Sequence, residues 1–174
     1  SDKFILPSVR PIFAALKTVF MNTSSAGIRN LLFDLGGVII NLDRQRCVDA
    51  LTALGDEKAD EMLSLSVQRG TLMDLEEGKI SPSDFFKRMR QKIGKAVSDE
   101  EIVHALNELL IGIPLDRLTL LRKLRQRFNV MMLSNTNPIM FDTKIAECFA
   151  QEGLSITDYF DDVYLSYRLK SCKP

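Results

Sequence analysis

The sequence has no surplus of charge of either sign: 23 Lys and Arg stand against 23 Asp and Glu in 174 residues. A nucleic-acid-binding domain carries a basic excess or a basic stripe, and neither is present, so no nucleic-acid partner is expected. The one local gathering, Arg122, Lys123, Arg125 and Arg127, has the spacing of the wet face of a helix. Histidine is nearly absent. The single one, His104, falls inside a helical stretch and reads as a packing or surface residue. The three cysteines, Cys47, Cys148 and Cys172, form no C-x-x-C pair and no metal-ligand spacing. That pattern excludes a disulfide framework or a zinc ribbon and points to a reducing, cytoplasmic setting. No apolar run approaches the ~20 residues of a membrane span, so no membrane association is expected. Residues 1–20 are interrupted by Pro7, Arg10, Pro11 and Lys17 and lack the clean apolar core of a signal peptide. They are expected to belong to an N-terminal extension over 1–27, with a short helix over residues 12–20.

What is present is an ordinary globular composition, 45% hydrophobic and 26% charged, in a length that suits one core with a small inserted subdomain. Leu31, Leu32 and Phe33 form an apolar run that stops at Asp34, followed by Gly36 and Gly37 and then Val38, Ile39 and Ile40. Val130 to Leu133 is a second such run, ending at Ser134-Asn135-Thr136-Asn137-Pro138, and Val163 to Leu165 a third, ending at Ser166. Short apolar runs bounded by turn residues fit buried parallel strands. Their polar ends fall on the edge where open parallel sheets bind ligands.

About ninety residues of helical character separate the first two runs. Ser81 and Ser98 read as N-caps, with Pro82 at the first helical position and Glu101 completing a capping box. Gly78 and Gly112 are expected to punctuate helix ends. Leu115 to Arg127 predicts a helix leading into the second strand, and residues 139–152 a helix before the third. The order strand, helical insert, helix, strand, helix, strand predicts an α/β fold, a Rossmann-like doubly wound parallel sheet carrying a helical cap. The core is expected over 28–44 and 114–174, and the cap over 45–113.

Three polar strand ends are then expected to converge: Asp34, Ser134 and the lysines after Ser166, Lys170 and Lys173. A carboxylate can attack phosphorus to form an acyl phosphate. A hydroxyl and backbone N–H groups can hold phosphoryl oxygens, and an ammonium can offset developing negative charge. A hard cation such as Mg2+ lets an anionic nucleophile approach an anionic substrate.

Phe33-Asp34-Leu35-Gly36-Gly37-Val38-Ile39 resembles the first motif of the haloacid dehalogenase (HAD) superfamily, and Leu133-Ser134-Asn135-Thr136-Asn137 resembles its second. Val163 to Ser166 followed by Lys173-Pro174 resembles the approach to its third, and the insert with Glu77-Gly78-Lys79-Ile80-Ser81 before Phe85-Phe86 resembles its helical cap. The resemblance covers roughly residues 28–174 and is nearest the sugar-phosphatase branch that includes glucose-1-phosphate phosphatase. It implies a Mg2+-dependent phosphatase of a small phosphorylated metabolite, a sugar phosphate being favoured, working through an aspartyl phosphate. Asp34 is then the nucleophile and a metal ligand. Gly36 lends its carbonyl to the metal. Gly37, Ser134 and Asn135 bind the substrate's phosphoryl group, and Lys173 is the stabilising lysine.

The sequence departs from the family's pattern in two places. Gly36 stands where most phosphatases of the superfamily carry a second aspartate as general acid and base, a contribution of about 10²–10⁴-fold. This also argues against a mutase, which needs proton transfer in both directions. Asp43 is the candidate substitute, with a plain helix N-cap as its other reading. The family's fourth motif, an acidic pair completing the metal site, is not found before Pro174. The Leu31–Phe33 strand is therefore expected to present an open apolar edge, covered by further residues of a longer chain or by another chain, or else left bare in a fragment. Two other readings stay open: a metal-independent haloacid dehalogenase, and a non-catalytic binder of phosphorylated ligands. The oligomeric state is not indicated.

Overall fold

The computed structural model describes residues 27–63 and 70–173. The helix expected over residues 12–20, and Pro174, lie outside them. Three parallel strands, β1 (Asn30–Phe33), β4 (Asn129–Ser134) and β5 (Asp162–Leu165), form the main sheet in the order β1-β4-β5. Pairing runs from Asn30↔Asn129 to Phe33↔Met132, and from Met131↔Asp162 to Ser134↔Leu165. This register brings Asp34, Asn135 and Ser166 out together at one edge, because each is the first residue after its strand. Val130, Met132 and Ser134 alternate inward along β4, the two-residue period of a strand. β1 is an edge strand among the described residues, and Leu32 on it is 57% exposed.

Two connections cover the sheet. Helix α6 (Leu115–Arg125) buries Leu118, Leu120, Leu121 and Leu124 and packs on β4. It stops two residues short of the expected Arg127, because the chain turns at 126–128 into β4. Arg122 and Arg125 are not merely solvated: they pair with Glu152 and Asp161. The helical stretch 138–152 opens with α7 (Pro138–Met140), widens through a π-helical turn (Phe141–Ile145), and continues as α8 (Ala146–Phe149) into a 3-10 turn (Ala150–Glu152). Helix α9 (Ile156–Tyr159) precedes β5, and α10 (Ser166–Leu169) follows it directly.

The insert contains α1 (Arg44–Leu54), α2 (Ala59–Met62), α3 (Thr71–Glu76), α4 (Pro82–Ile93) and α5 (Asp99–Asn107). Both expected caps form. Ser81 accepts from the Asp84 N–H with Pro82 in the first turn, and Ser98 and Glu101 make a capping box. The insert leaves and rejoins the sheet through a two-stranded antiparallel ribbon that the sequence did not signal, β2 (Asn41–Leu42) with β3 (Leu110–Gly112). Gly112, expected at a helix end, is in this ribbon instead: its φ of 137° and its pairing with Asn41 place it in a bulged strand. Gly37 to Ile39 form a turn, closed by an isolated bridge between Gly36 and Ile40. The Gly37 and Ile39 N–H groups donate to Ile40 and Leu35 carbonyls, and this folds the segment back toward β2. No helix among the described residues is long and apolar enough to cross a membrane.

Candidate active site at the carboxyl edge of the sheet

Asp34 leaves β1 into the turn closed by Gly37, whose φ of +70° is a left-handed conformation suited to glycine. Its Oδ1 accepts the Leu35 N–H at 2.7 Å and lies 2.5 Å from the Lys173 Nζ. Oδ2 takes no hydrogen bond among the described residues, and the side chain stays 45% exposed. The Gly37 N–H is spent on Ile40 at 2.9 Å. Gly37 therefore shapes the loop, and its own N–H is committed away from a substrate.

Lys173 is anchored at three points. Its Nζ donates to the Leu133 carbonyl at 3.1 Å as well as pairing with Asp34. Its backbone is clipped to the Asn135 amide in both directions: the Lys173 N–H donates to Asn135 Oδ1 at 2.9 Å, and Asn135 Nδ2 donates to the Lys173 carbonyl at 3.1 Å. The structure thus brings Lys173, not its rival Lys170, to Asp34. Lys170 is exposed and takes φ +55°, turning the chain after α10. Asn135, expected to hold phosphate, commits both side-chain polar atoms to the lysine's backbone. Ser134 is 2% exposed, and among the described residues its hydroxyl makes only a long contact of 3.3 Å to the Asn135 carbonyl.

Asp43 is the N-cap of α1. Its carboxylate caps α1, accepting from the Gln45 and Arg46 N–H groups at 3.1 and 3.3 Å, while its own N–H donates to Leu109 and extends the ribbon. His104 is on the surface, opposite Glu108.

Sequence reading missed the supports beneath these residues. Ser166, buried at 1%, bridges β5 to the second loop: its hydroxyl accepts the Thr136 N–H and donates to the Thr136 carbonyl, both at 3.0 Å. Asn137, fully buried, caps α7 by accepting the Met140 N–H, and its Nδ2 has no partner among the described residues. Ser, Thr and Asn in a turn carry no mark that separates such bridging from ordinary turn chemistry. Gly78 was read as punctuation, yet its φ is +63° and a Cβ there would lie 2.3 Å from the Tyr167 carbonyl. The turn after α3 therefore presses directly on the segment that leads to Lys173. On that turn Glu77 pairs with Lys79, and on α3 Asp74 pairs with Arg88.

A metal would find hard oxygen donors here. Asp34 Oδ2 and the Gly36 carbonyl, two residues apart, accept no hydrogen bond among the described residues. No cluster of three or more His, Cys, Asp or Glu surrounds them within that set. One carboxylate and one carbonyl suit Mg2+, which keeps several waters and shares substrate phosphate oxygens. They do not suit a softer ion that needs thiolates or imidazoles.

No family model matches the sequence. The chain is 37% identical over 147 residues to a D-ribitol-5-phosphate phosphatase of Bacteroides thetaiotaomicron, spanning 84% of this chain and 71% of that protein. Its structure superposes on a HAD family enzyme from the same organism, in complex with magnesium and inorganic phosphate, with a TM-score of 0.79 at 42% identity, covering 85% of this chain and 73% of the other. A HAD-like family hydrolase from Porphyromonas gingivalis matches with a TM-score of 0.77 at 33% identity, covering 84% and 70%.

Proposed function

From the premise that this chain belongs to the haloacid dehalogenase family of hydrolases, we propose that it is a Mg2+-dependent phosphatase of a small phosphorylated sugar or polyol. The observation that carries this reading is the Asp34–Lys173 pair at 2.5 Å. It is an exposed carboxylate nucleophile with a fixed cation beside it, on the edge of a parallel sheet. Two relatives support the chemistry, one named for a phosphorylated polyol and one holding magnesium with phosphate.

In this reading Asp34 attacks the phosphorus, the ester P–O bond breaks with its electron pair going to the sugar or polyol oxygen, which takes up a proton and leaves as the alcohol, and an aspartyl phosphate forms. Water then attacks that phosphorus, the Asp34–phosphorus bond breaks, and inorganic phosphate leaves. The Lys173 ammonium offsets the charge that collects on the phosphoryl oxygens, and holds Asp34 in line through its anchor on Leu133. Ser134 and the backbone of the second loop face the phosphoryl oxygens. Mg2+, held by Asp34 and the Gly36 carbonyl, would neutralise repulsion between the carboxylate and the phosphate. Residues 28–44 and 114–174 serve as the catalytic core, and 45–113 as a cap that limits water access. The three free cysteines fit a reducing, cytoplasmic setting.

The test is phosphate release from a panel of sugar and alditol phosphates with and without Mg2+, with Asp34→Asn as control. Release that requires both the metal and Asp34 supports the reading. Release unaffected by Asp34→Asn overturns it.

A further inference from the structure

An alditol or sugar phosphate must expel an alkoxide, a poor leaving group unless a proton reaches its oxygen as the P–O bond breaks. The loop after Asp34 offers no such group, since Gly36 has no side chain. Lys173 is held by Asp34 and Leu133, and Asp43 caps its helix through Oδ1.

The carboxylates that are wholly or partly buried are Asp43, Asp56, Asp74, Glu76, Glu77 and Glu108. Five have fixed partners. Asp43 caps α1, Asp56 pairs with Lys92, Asp74 with Arg88, Glu77 with Lys79, and Glu108 with Arg46. Glu76 alone makes no hydrogen bond or ion pair among the described residues. Burial without a compensating cation pushes its carboxyl up to about 7, a value suited to passing a proton in both directions near neutral pH.

Its place in the fold is equally specific. Glu76 is the last residue of α3, which packs on α10. The next turn presses Gly78 against the Tyr167 carbonyl. After burial, the Glu76 carboxylate is the next largest influence raising the Cys172 thiol, and Cys172 immediately precedes Lys173. The charged groups around this seam are otherwise engaged. Lys79 pairs with Glu77, Arg88 with Asp74 and Lys173 with Asp34, while Arg168 stacks on Phe141 and Tyr167.

We propose that Glu76, delivered from the helical insert, is the general acid and base of the reaction, the role left empty at Gly36. This rests on the phosphatase reading above. In the first step the Glu76 carboxyl gives its proton to the leaving-group oxygen as the Asp34–phosphorus bond forms and the ester P–O bond breaks. In the second, the Glu76 carboxylate takes a proton from the water that attacks the aspartyl phosphate, and the carboxyl is restored as phosphate departs.

The experiment compares wild type, Glu76→Gln and Glu76→Asp with Mg2+ on two esters: ribitol 5-phosphate, whose leaving group is an alkoxide, and p-nitrophenyl phosphate, whose leaving group is stable as an anion. The readout is kcat/KM, which covers only the steps through the first irreversible one. Glu76→Gln is expected to lose about 10²-fold or more on the alditol ester and only a few-fold on the aryl ester. Glu76→Asp should recover part of the loss. The wild-type decline in kcat/KM above about pH 7 should vanish in Glu76→Gln. Equal losses on both esters, or no loss on the alditol ester, overturn the proposal. If wild type hydrolyses neither ester, the phosphatase reading itself falls and takes this one with it. Wild-type turnover combined with equal losses removes only the role of Glu76.

Discussion

The Lys173 ammonium stands 2.5 Å from the Asp34 carboxylate and 3.1 Å from the Leu133 carbonyl. The cation is therefore fixed by backbone of the central strand before any substrate arrives. Preorganised charge of this kind acts without reorganisation at the moment of reaction, and removing one such group costs about 10²–10³ in kcat. Lys173→Met should lower kcat by that order. Unfolding free energy should change by less than about 1 kcal/mol, because Asp34 remains 45% exposed. Steady-state phosphate release and urea denaturation check both halves. A kcat within a few-fold of wild type contradicts the assigned role.

Asn135 holds the backbone that carries this lysine, and it does so with both ends of its amide. Asn135→Asp keeps an acceptor for the Lys173 N–H but has no donor for the Lys173 carbonyl, and it adds a negative charge beside the proposed phosphate site. A fall in kcat/KM of at least about tenfold is expected, with the melting temperature little changed. Unaltered kinetics would return Asn135 to the status of a turn residue.

The strand runs ending at Asp34, Ser134 and Ser166 were legible because buried parallel strands print as apolar runs and their polar ends stand out. The helix starts at Ser81 and Ser98 were legible because capping is local chemistry. The β2–β3 ribbon was not: two- and three-residue strands carry no periodicity, and Gly112 reads equally as a helix stop. Nor were the contacts of Asn135 or the burial of Glu76, since an amide that clips backbone 38 residues away and a half-buried carboxyl without a partner among the described residues are tertiary facts. Glu76-Glu77 in a sequence looks like a solvated pair. Asp43 was legible as two alternatives, and the cap is the one the helix geometry displays.

Gly37 and Gly78 separate two costs of adding a methyl group. Both take left-handed φ values, +70° and +63°, but a Cβ at Gly37 meets open space, whereas one at Gly78 would overlap the Tyr167 carbonyl at 2.3 Å. Gly37→Ala should cost about 1–2 kcal/mol from backbone strain alone. Gly78→Ala should cost more, by about 1–3 kcal/mol of overpacking, and should also lower kcat/KM by displacing the segment before Lys173. Parallel denaturation curves decide it. Equal losses would mean that the seam yields without resistance.

Asp56 is 1% exposed, accepts the Lys58 N–H at 3.0 Å and pairs with Lys92 at 2.8 Å across 36 residues of the insert. Lys92→Met would leave a buried carboxylate with its charge uncompensated, a loss of about 1–3 kcal/mol. Asp56→Asn with Lys92→Met should recover part of it by removing that charge. Urea midpoints of the single and double variants test this. A double variant no more stable than Lys92→Met would show that the charge was never the source of the loss.

The burial of Glu76 also makes a thermodynamic prediction independent of catalysis. Its carboxyl titrates near 7 in the fold against an ordinary value of 4.5. Below about pH 4.5 it is protonated in both folded and unfolded chains, and its burial carries no charge penalty. Between 4.5 and 7 the unfolded chain gives up the proton while the fold retains it. Stability therefore falls as pH rises, by at most about 1.4 kcal/mol per pH unit from this group. Above 7 the penalty is constant, because both states are ionised. Glu76→Gln cannot ionise and escapes the loss. Its stability relative to wild type should be near level at pH 4.5, increase through pH 6, and reach a plateau above pH 7. Equilibrium urea denaturation across that range reads the difference directly. A difference independent of pH would place the Glu76 carboxyl in water rather than buried in the fold, and would weaken its assignment as a proton donor with the same measurement.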